Sequence, residues 1–91
     1  MNNKLYILSF DLSTADINGL HQLIKTSQYI NDWWHYLGST YILSSNYTLD
    51  TIQNQIKVKY PGFHFLLMEV DPKAANGWLP KDAWKWINKH K

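Results

Sequence analysis

One carboxylate follows directly on the most apolar stretch of the chain. Residues 5–12 read Leu-Tyr-Ile-Leu-Ser-Phe-Asp-Leu, and Asp11 is the only charged residue among them. A run this apolar is typical of a β-strand buried on both faces, because a half-exposed strand would alternate apolar and polar side chains. An acid at the end of such a strand lies at the rim of the sheet, where sites tend to form. Carboxylate oxygens are also ligands that Mg²⁺ prefers. Asp11 is therefore the first candidate for a catalytic or metal-binding residue.

A second candidate for acid–base chemistry is His35, which lies in a β-prone run between aromatic residues. Its imidazole changes charge near neutral pH and can act as a general acid or base. The alternative is a packed or hydrogen-bonded structural histidine. The other histidines, His21, His64 and His90, share no metal-ligand spacing with His35, so the sequence does not support a histidine metal site.

Aromatic residues cluster around His35. Trp33, Trp34 and Tyr36 could stack on unpaired bases, as aromatic side chains do in proteins that bind single strands, and Trp33 is the candidate contact. Strand alternation puts Trp33 and His35 on one face of the sheet and Trp34 and Tyr36 on the other. One of these pairs must therefore face the helices as core, and only the other is free to stack.

Lysines are concentrated late in the chain, with seven of the nine between residues 57 and 91. A lysine-rich segment can bind the backbone of RNA or DNA through counterion release, and Lys85 and Lys89 are the candidate contacts. The alternative is an ordinary solvated surface. The chain has no arginine, which counts against tight, base-specific recognition of a duplex.

Composition excludes several classes of protein. The 91 residues are enough for one domain, and the net charge is only +2. With no cysteine, the chain has no disulfide, no thiolate metal site and no cysteine nucleophile, and we expect a cytoplasmic protein. We find neither a secretory signal nor an apolar segment long enough to span a membrane, so no membrane partner is expected.

The order of periodic segments predicts the fold. We expect a helix from Ser13 to about residue 28, a hairpin over 33–45 with Gly38-Ser39 as its loop, a helix over 48–59, a strand over 63–70 and a short helix after Pro80. The crossover rules turn this order into one α+β domain over residues 1–91, a ferredoxin-like β-α-β-β-α-β sandwich. Its four-stranded antiparallel sheet has the first and third strands in the centre and both long helices on one face.

The second face of this sheet also needs a cover, because the first and last strands are apolar on both sides. There are two candidates for this cover: the tryptophan-rich tail, or a second copy of the chain in a homodimer. In the tail, Trp84 and Ile87 lie three residues apart and are expected to anchor it, whereas Trp86 should point elsewhere.

Two motifs resemble a known family. The first strand, Tyr6 to Asp11, has the form aromatic-x-x-x-aromatic-Asp, and in the hairpin Ser39 precedes a β-prone run. Both features resemble the small CRISPR-associated adaptation nucleases and the related virulence-associated protein D toxins. The resemblance covers about the first seventy residues in topology, and Asp11 and Ser39 match residue for residue.

This resemblance implies a cytoplasmic homodimer with endoribonuclease-like, magnesium-dependent chemistry. Asp11 would be the metal ligand, paired with its symmetry mate across a two-fold axis, and Ser39 joins Asp11 and His35 as a catalytic candidate. The fold group also includes catalytically silent members. We therefore consider two functions: a metal-dependent ribonuclease or toxin, active or silent, and a non-enzymatic module that binds nucleic acid or protein.

Overall fold

Four strands and three α-helices make up the computed structural model, which describes residues 3–90. The elements are β1 (Lys4–Phe10), α1 (Ile17–Thr26), β2 (Asp32–His35), β3 (Thr40–Ser45), α2 (Leu49–Lys59), β4 (Phe65–Val70) and α3 (Lys81–Lys89). Short 3₁₀ turns at Leu12–Thr14 and Pro72–Ala74 follow β1 and β4. None of the helices in the described part of the chain has the length and apolar character needed to cross a membrane.

The sheet is antiparallel throughout and has the strand order β2-β3-β1-β4. Leu8 in β1 lies opposite Tyr41 in β3 and Leu67 in β4, and all three side chains are buried on the same face. A slip of one residue would turn these side chains to the opposite face, so burial fixes the register. The α+β class, the antiparallel sheet and the central positions of the first and third strands are thus confirmed.

Helices α1 and α2 cover the face to which the even-numbered residues of β1 point. Leu20 and Ile24 of α1 and Ile52 and Ile56 of α2 are at most 1% exposed. The main core, which we call the helix-facing core, consists of Tyr6, Leu8, Phe10, Leu20, Ile24, Ile30, Tyr41, Leu43, Ile52, Ile56, Phe63 and Leu67.

Helix α3 covers one end of the opposite face. Trp86 and Ile87 are buried there against Leu5, and the partly buried side chains around them are Trp34, Ile42, Val70, Leu79 and Trp84. The expectation for Trp86 was wrong, because this ring is the buried anchor while Trp84 is only partly buried. Farther along the same face Leu66 and Met68 remain 58% and 51% exposed. The tail is therefore one cover of this face, but an incomplete one.

Three predicted boundaries also need correction. Ser13 does not begin the first helix. Its amide and hydroxyl donate to Asp11, and Asp16 caps α1 by accepting from the Gly19 amide at 3.1 Å.

The hairpin loop spans residues 36–39 rather than two residues, and the Thr40 amide donates to the Leu37 carbonyl. Strand β4 begins at Phe65 instead of residue 63, because the Phe63 amide still closes the turn after α2.

Glycine at position 19 has a packing reason. A Cβ at this position would overlap the Tyr60 hydroxyl and the carboxylate of Asp16. Both neighbours are anchored, since Tyr60 packs against the helix-facing core and Asp16 is the N-cap of α1. The close approach of α1 and the end of α2 therefore requires glycine here.

We predict that Gly19→Ala destabilises the fold by about 1 kcal/mol. Alanine alone should gain about that much in helix propensity, but the displaced N-cap and Tyr60 contact cost more. Denaturant unfolding measures the difference. Combining the change with Tyr60→Phe should recover part of the loss, and Gly62→Ala, which meets no neighbour within 4 Å, is the matched control. A stabilised Gly19→Ala protein would contradict this account.

Candidate functional site

The three residues predicted to be catalytic lie at one end of the sheet but are spread over it. The Phe10 amide donates to the Ser39 carbonyl, so Asp11 follows directly beside Ser39. His35 ends β2, which is two strand positions from β1. With about 4.8 Å between neighbouring strands, His35 is about 10 Å or more from Asp11. The fold brings Asp11 and Ser39 together and leaves His35 outside hydrogen-bonding reach of Asp11.

Asp11 caps the 3₁₀ turn that follows β1. Its Oδ1 accepts from the Ser13 hydroxyl at 2.7 Å and from the Ser13 amide at 3.0 Å. These two hydrogen bonds, with a smaller contribution from the nearby His64 ring, lower the pKa of the exposed Asp11 carboxyl. The Asp11 amide donates to the His64 carbonyl, which ties the turn to the start of β4.

Within residues 3–90, no three side chains of the types that bind metals come together. Asp11 is one carboxylate, and one of its oxygens already accepts two hydrogen bonds from Ser13. A single carboxylate is a poor Mg²⁺ site, because the ion takes six oxygen ligands in near-octahedral geometry and usually keeps several waters. A second carboxylate or a phosphate from another molecule would complete a site at Asp11.

His35 has a packing role. Its ring stacks on Tyr41 with 3.9 Å between ring centroids and 15° between planes. The buried Tyr41 hydroxyl in turn forms a 3.0 Å hydrogen bond with Nδ1 of His21, and burial raises the pKa of Tyr41.

Trp33, the residue predicted to stack on a base, meets the His21 ring edge-on at 5.0 Å and packs against the helix-facing core. Trp33 would have to leave these contacts before a base could stack on it.

The most exposed aromatic ring of the described residues is Trp78, at 99%. It lies between the second 3₁₀ turn and α3, directly after Gly77, whose φ of +156° favours glycine. The segment around it forms neither strand nor helix, so no element covers the ring. Trp78 is not among the residues predicted from the sequence to bind nucleic acid. The available signal was its position between Asn76-Gly77 and Pro80, two features that interrupt regular structure.

A row of lysines runs along the exposed side of α3. Lys81, Lys85 and Lys89 are spaced four residues apart, whereas the opposite side of the helix buries Ala83, Trp86 and Ile87. With a rise of 1.5 Å per residue, successive lysines are about 6 Å apart along the axis. We call Trp78 together with Lys81, Lys85 and Lys89 the α3 surface.

Formal charge is divided unevenly along the chain. Residues 1–72 contain four lysines and six acidic residues, whereas residues 73–91 contain five lysines and Asp82 as the single acid. Lys91 lies outside the described residues. The sheet domain therefore has a formal charge of −2 and the tail a formal charge of +4. A polyanion would be attracted to the tail and repelled by the rest of the molecule.

One lysine of the row is already paired. Lys89 Nζ lies 3.5 Å from the Asp32 carboxylate, and Nε2 of His90 lies 3.1 Å from the same oxygen. Partial burial by itself would raise the pKa of Asp32, but hydrogen bonds from the Trp33 amide and from His90 outweigh it, and the pKa is lowered. Lys81 and Lys85 are exposed on the same helix.

Comparison of the chain with protein-family models, with curated proteins and with solved structures finds no match. The resemblance at Asp11 and Ser39 therefore stays a prediction, and the case for a function depends on the geometry of this molecule.

The Asp11 cap predicts a specific pH dependence. Because its pKa is lowered in the folded state, Asp11 stabilises the fold fully above its unfolded pKa near 4, and this contribution is lost as the pH falls through the lower folded value. Asp11→Asn should therefore flatten the decline of the melting temperature between about pH 4 and pH 2. Asp82→Asn, a change of the same charge on exposed α3, is the control. Identical pH profiles of Asp11→Asn and wild type would refute the capping role.

Proposed function

We propose that this protein binds single-stranded nucleic acid, RNA or DNA, through the α3 surface, without needing to cleave it. The observation that carries the proposal is Trp78, an indole that is 99% exposed at the start of a row of lysines. A large apolar ring gains nothing from full exposure to water, whereas a base that stacks on it removes both surfaces from solvent.

The chemistry of this surface favours single strands over duplexes. A lone indole can stack only on a base that is unpaired, since bases in a duplex are already stacked on each other. The three lysines supply point charges for phosphates, and with no arginine in the chain the surface lacks the bidentate donors that read guanine in the major groove. We therefore expect binding that tolerates changes of base sequence.

The number of lysines sets the strength and the salt dependence. Each neutralised phosphate of a single strand contributes about −0.7 to the slope of log K against log salt, so Lys81 and Lys85, the two lysines of the row that pair with no described residue, give a slope of about −1.4, and Lys89 adds to it only if it leaves Asp32. Binding should be weak at physiological salt, and several copies along one strand would bind more firmly than one.

The proposal also includes a ferredoxin-like sandwich, a homodimer and a cytoplasmic location. Taken from β4, the strand order reads 4-1-3-2, and this order supports a ferredoxin-like sandwich. The open part of the sheet, with exposed Leu66 and Met68, supports the homodimer. A chain without cysteine suits a reducing cytoplasm.

We predict that Trp78→Ala weakens binding of labelled oligouridine and oligothymidine by about 5- to 150-fold, the range for loss of one base–aromatic stack. Trp78→Phe should retain most of the affinity. Both can be measured by fluorescence anisotropy at two salt concentrations. Because Trp78 packs against nothing, neither change should alter the melting temperature. Wild-type affinity in Trp78→Ala would overturn the proposed contact.

The double variant Lys81→Gln/Lys85→Gln tests whether the nucleic acid binds at the α3 surface or is attracted only by the net charge of the protein. It should reduce the salt slope by about 1.4, whereas Lys57→Gln/Lys59→Gln, the same charge change at the exposed end of α2, should leave the slope unchanged. Equal losses in the two variants would show that net charge alone attracts the nucleic acid. Absence of binding by wild type at low salt would reject the function itself.

A second candidate function, magnesium-dependent cleavage of RNA, is favoured by one observation. The exposed Asp11 carboxylate stands at the end of a central strand beside Ser39. Since a single carboxylate is a poor site for the ion, the ion would lie between two copies of Asp11 on a two-fold axis.

This candidate predicts that magnesium raises the melting temperature of the wild-type dimer and not that of Asp11→Asn. Paired carboxylates repel each other without the ion, and ligand binding stabilises the folded state by mass action. Thermal melts with and without magnesium, beside an RNA cleavage assay, measure both effects. If magnesium shifts neither protein, only the binding function remains.

A further inference from the structure

The contact between α3 and the sheet contains an unusual group of buried polar atoms. The indole Nε1–H of Trp34, the hydroxyl of Ser44 and the indole Nε1–H of Trp86 are buried without a hydrogen-bond partner. All three lie at this contact, because Trp34 and Ser44 stand on the sheet face that α3 covers and Trp86 belongs to α3. The Trp86 N–H is near enough to the Asp32 carboxylate to lower the pKa of Asp32, but it does not reach hydrogen-bond geometry. Buried donors without partners weaken the docking of α3, since they would regain hydrogen bonds to water if the helix left.

Little else in the chain holds α3 in place. The helix has nine residues, and Pro80 at its N-cap makes no side-chain capping hydrogen bond. A helix this short is marginal in water by itself. The segment over residues 71–80 that joins it to β4 is largely exposed and contributes no buried residue. The fold of α3 therefore depends on the burial of Ala83, Trp86 and Ile87.

The charged contacts between α3 and the sheet that the structure describes converge on one residue. Asp32 accepts from His90 Nε2 at 3.1 Å and pairs with Lys89 Nζ at 3.5 Å. The His90 ring also packs on the Trp86 ring, with 4.2 Å between centroids. Asp32 thus fastens the C-terminal end of the helix to the first residue of edge strand β2.

The helix-facing core is independent of all these groups. It consists of twelve buried residues from β1, β3, β4, both long helices and the segments next to them, and none of them comes from α3. Segments with few buried contacts open at lower free energy than the core of the same protein.

We propose that α3 is a releasable cover of the sheet, fastened by the contact of Asp32 with Lys89 and His90, and that it opens while the helix-facing core stays folded. In the open form the sheet face under α3 joins the part already exposed at Leu66 and Met68. The proposal does not depend on nucleic-acid binding.

Hydrogen exchange followed by mass spectrometry tests this with the full chain and no nucleic acid. In wild type, the amides of α3 should exchange faster than those of β1 and β3. Asp32→Asn should accelerate exchange in α3 by about fivefold, the order expected for loss of a partly exposed charged contact, and leave β1 unchanged. Asp50→Asn, an equal charge change in the first turn of α2, should leave α3 unchanged.

Two results would overturn the proposal. One is exchange of α3 and β1 at the same rate in wild type, which means that the helix opens only with the whole fold. The other is an unchanged α3 rate in Asp32→Asn. If Asp32→Asn accelerates exchange in β1 as well, the change has disturbed the sheet itself. The variant His90→Gln then tests the contact from the other side, because His90 lies outside the sheet. Faster exchange confined to α3 in that variant supports the fastening, and a uniform acceleration refutes it.

Discussion

Strand β1 is paired on both edges and apolar on both faces, and the rest of the molecule is arranged to cover it. Tyr6, Leu8 and Phe10 point into the helix-facing core, whereas Leu5 points to the opposite side. No single layer of helices can cover both faces of a sheet. Helices α1 and α2 therefore take one face, and the chain needs a third helix for the other. The amphipathic character of α3 follows from this requirement.

Covering the sheet leaves α3 with one face free, and that face determines the charge distribution of the protein. Once Ala83, Trp86 and Ile87 are buried, the lysines spaced four residues apart have to point to solvent. In the segment before α3, Leu79 packs against the cluster under the helix, whereas its neighbour Trp78 is left exposed. The proposed binding surface is thus a geometric consequence of how the sheet is closed. The unpaired polar atoms under α3 are one reason why we propose that this helix opens before the rest of the fold.

The sequence predicted those features that depend on local pattern. Unbroken apolar runs identified the central strands, and their order with the helical segments predicted the antiparallel sheet with β1 and β3 inside. The prediction from sequence failed where several side chains could fill the same structural role. Ser13, Asp11 and Asp16 are all good caps. The turn that Asp11 caps is held by His64, just before β4 and about fifty residues away in sequence, whose amide donates to the Thr14 hydroxyl and whose carbonyl accepts from the Asp11 amide. Trp84 and Trp86 are equally apolar, and only the direction of α3 across the sheet decides which is buried.

The candidate site was predictable only in part for the same reason. Asp11 and Ser39 come together because β1 pairs with β3, which the predicted strand order implies. The separation of His35 follows from the strand order, because β3 lies between β2 and β1. The grouping of His35 with Asp11 was based on side-chain chemistry alone and did not take this order into account. Trp78 was missed because exposure is a property of what does not pack nearby, and no local pattern reports that.

Distance also separates the two candidate functions. Leu5, on which the anchor of α3 packs, and Asp11 are at opposite ends of β1. At about 3.3 Å per residue in a strand, six residues put them about 20 Å apart. The buried anchor of α3 is therefore remote from the Asp11 turn, and the proposed contacts at Trp78 and the lysine row involve no residue of that turn. The proposed binding at the α3 surface needs no residue of the rim, so it can be tested independently of the proposed cleavage at Asp11.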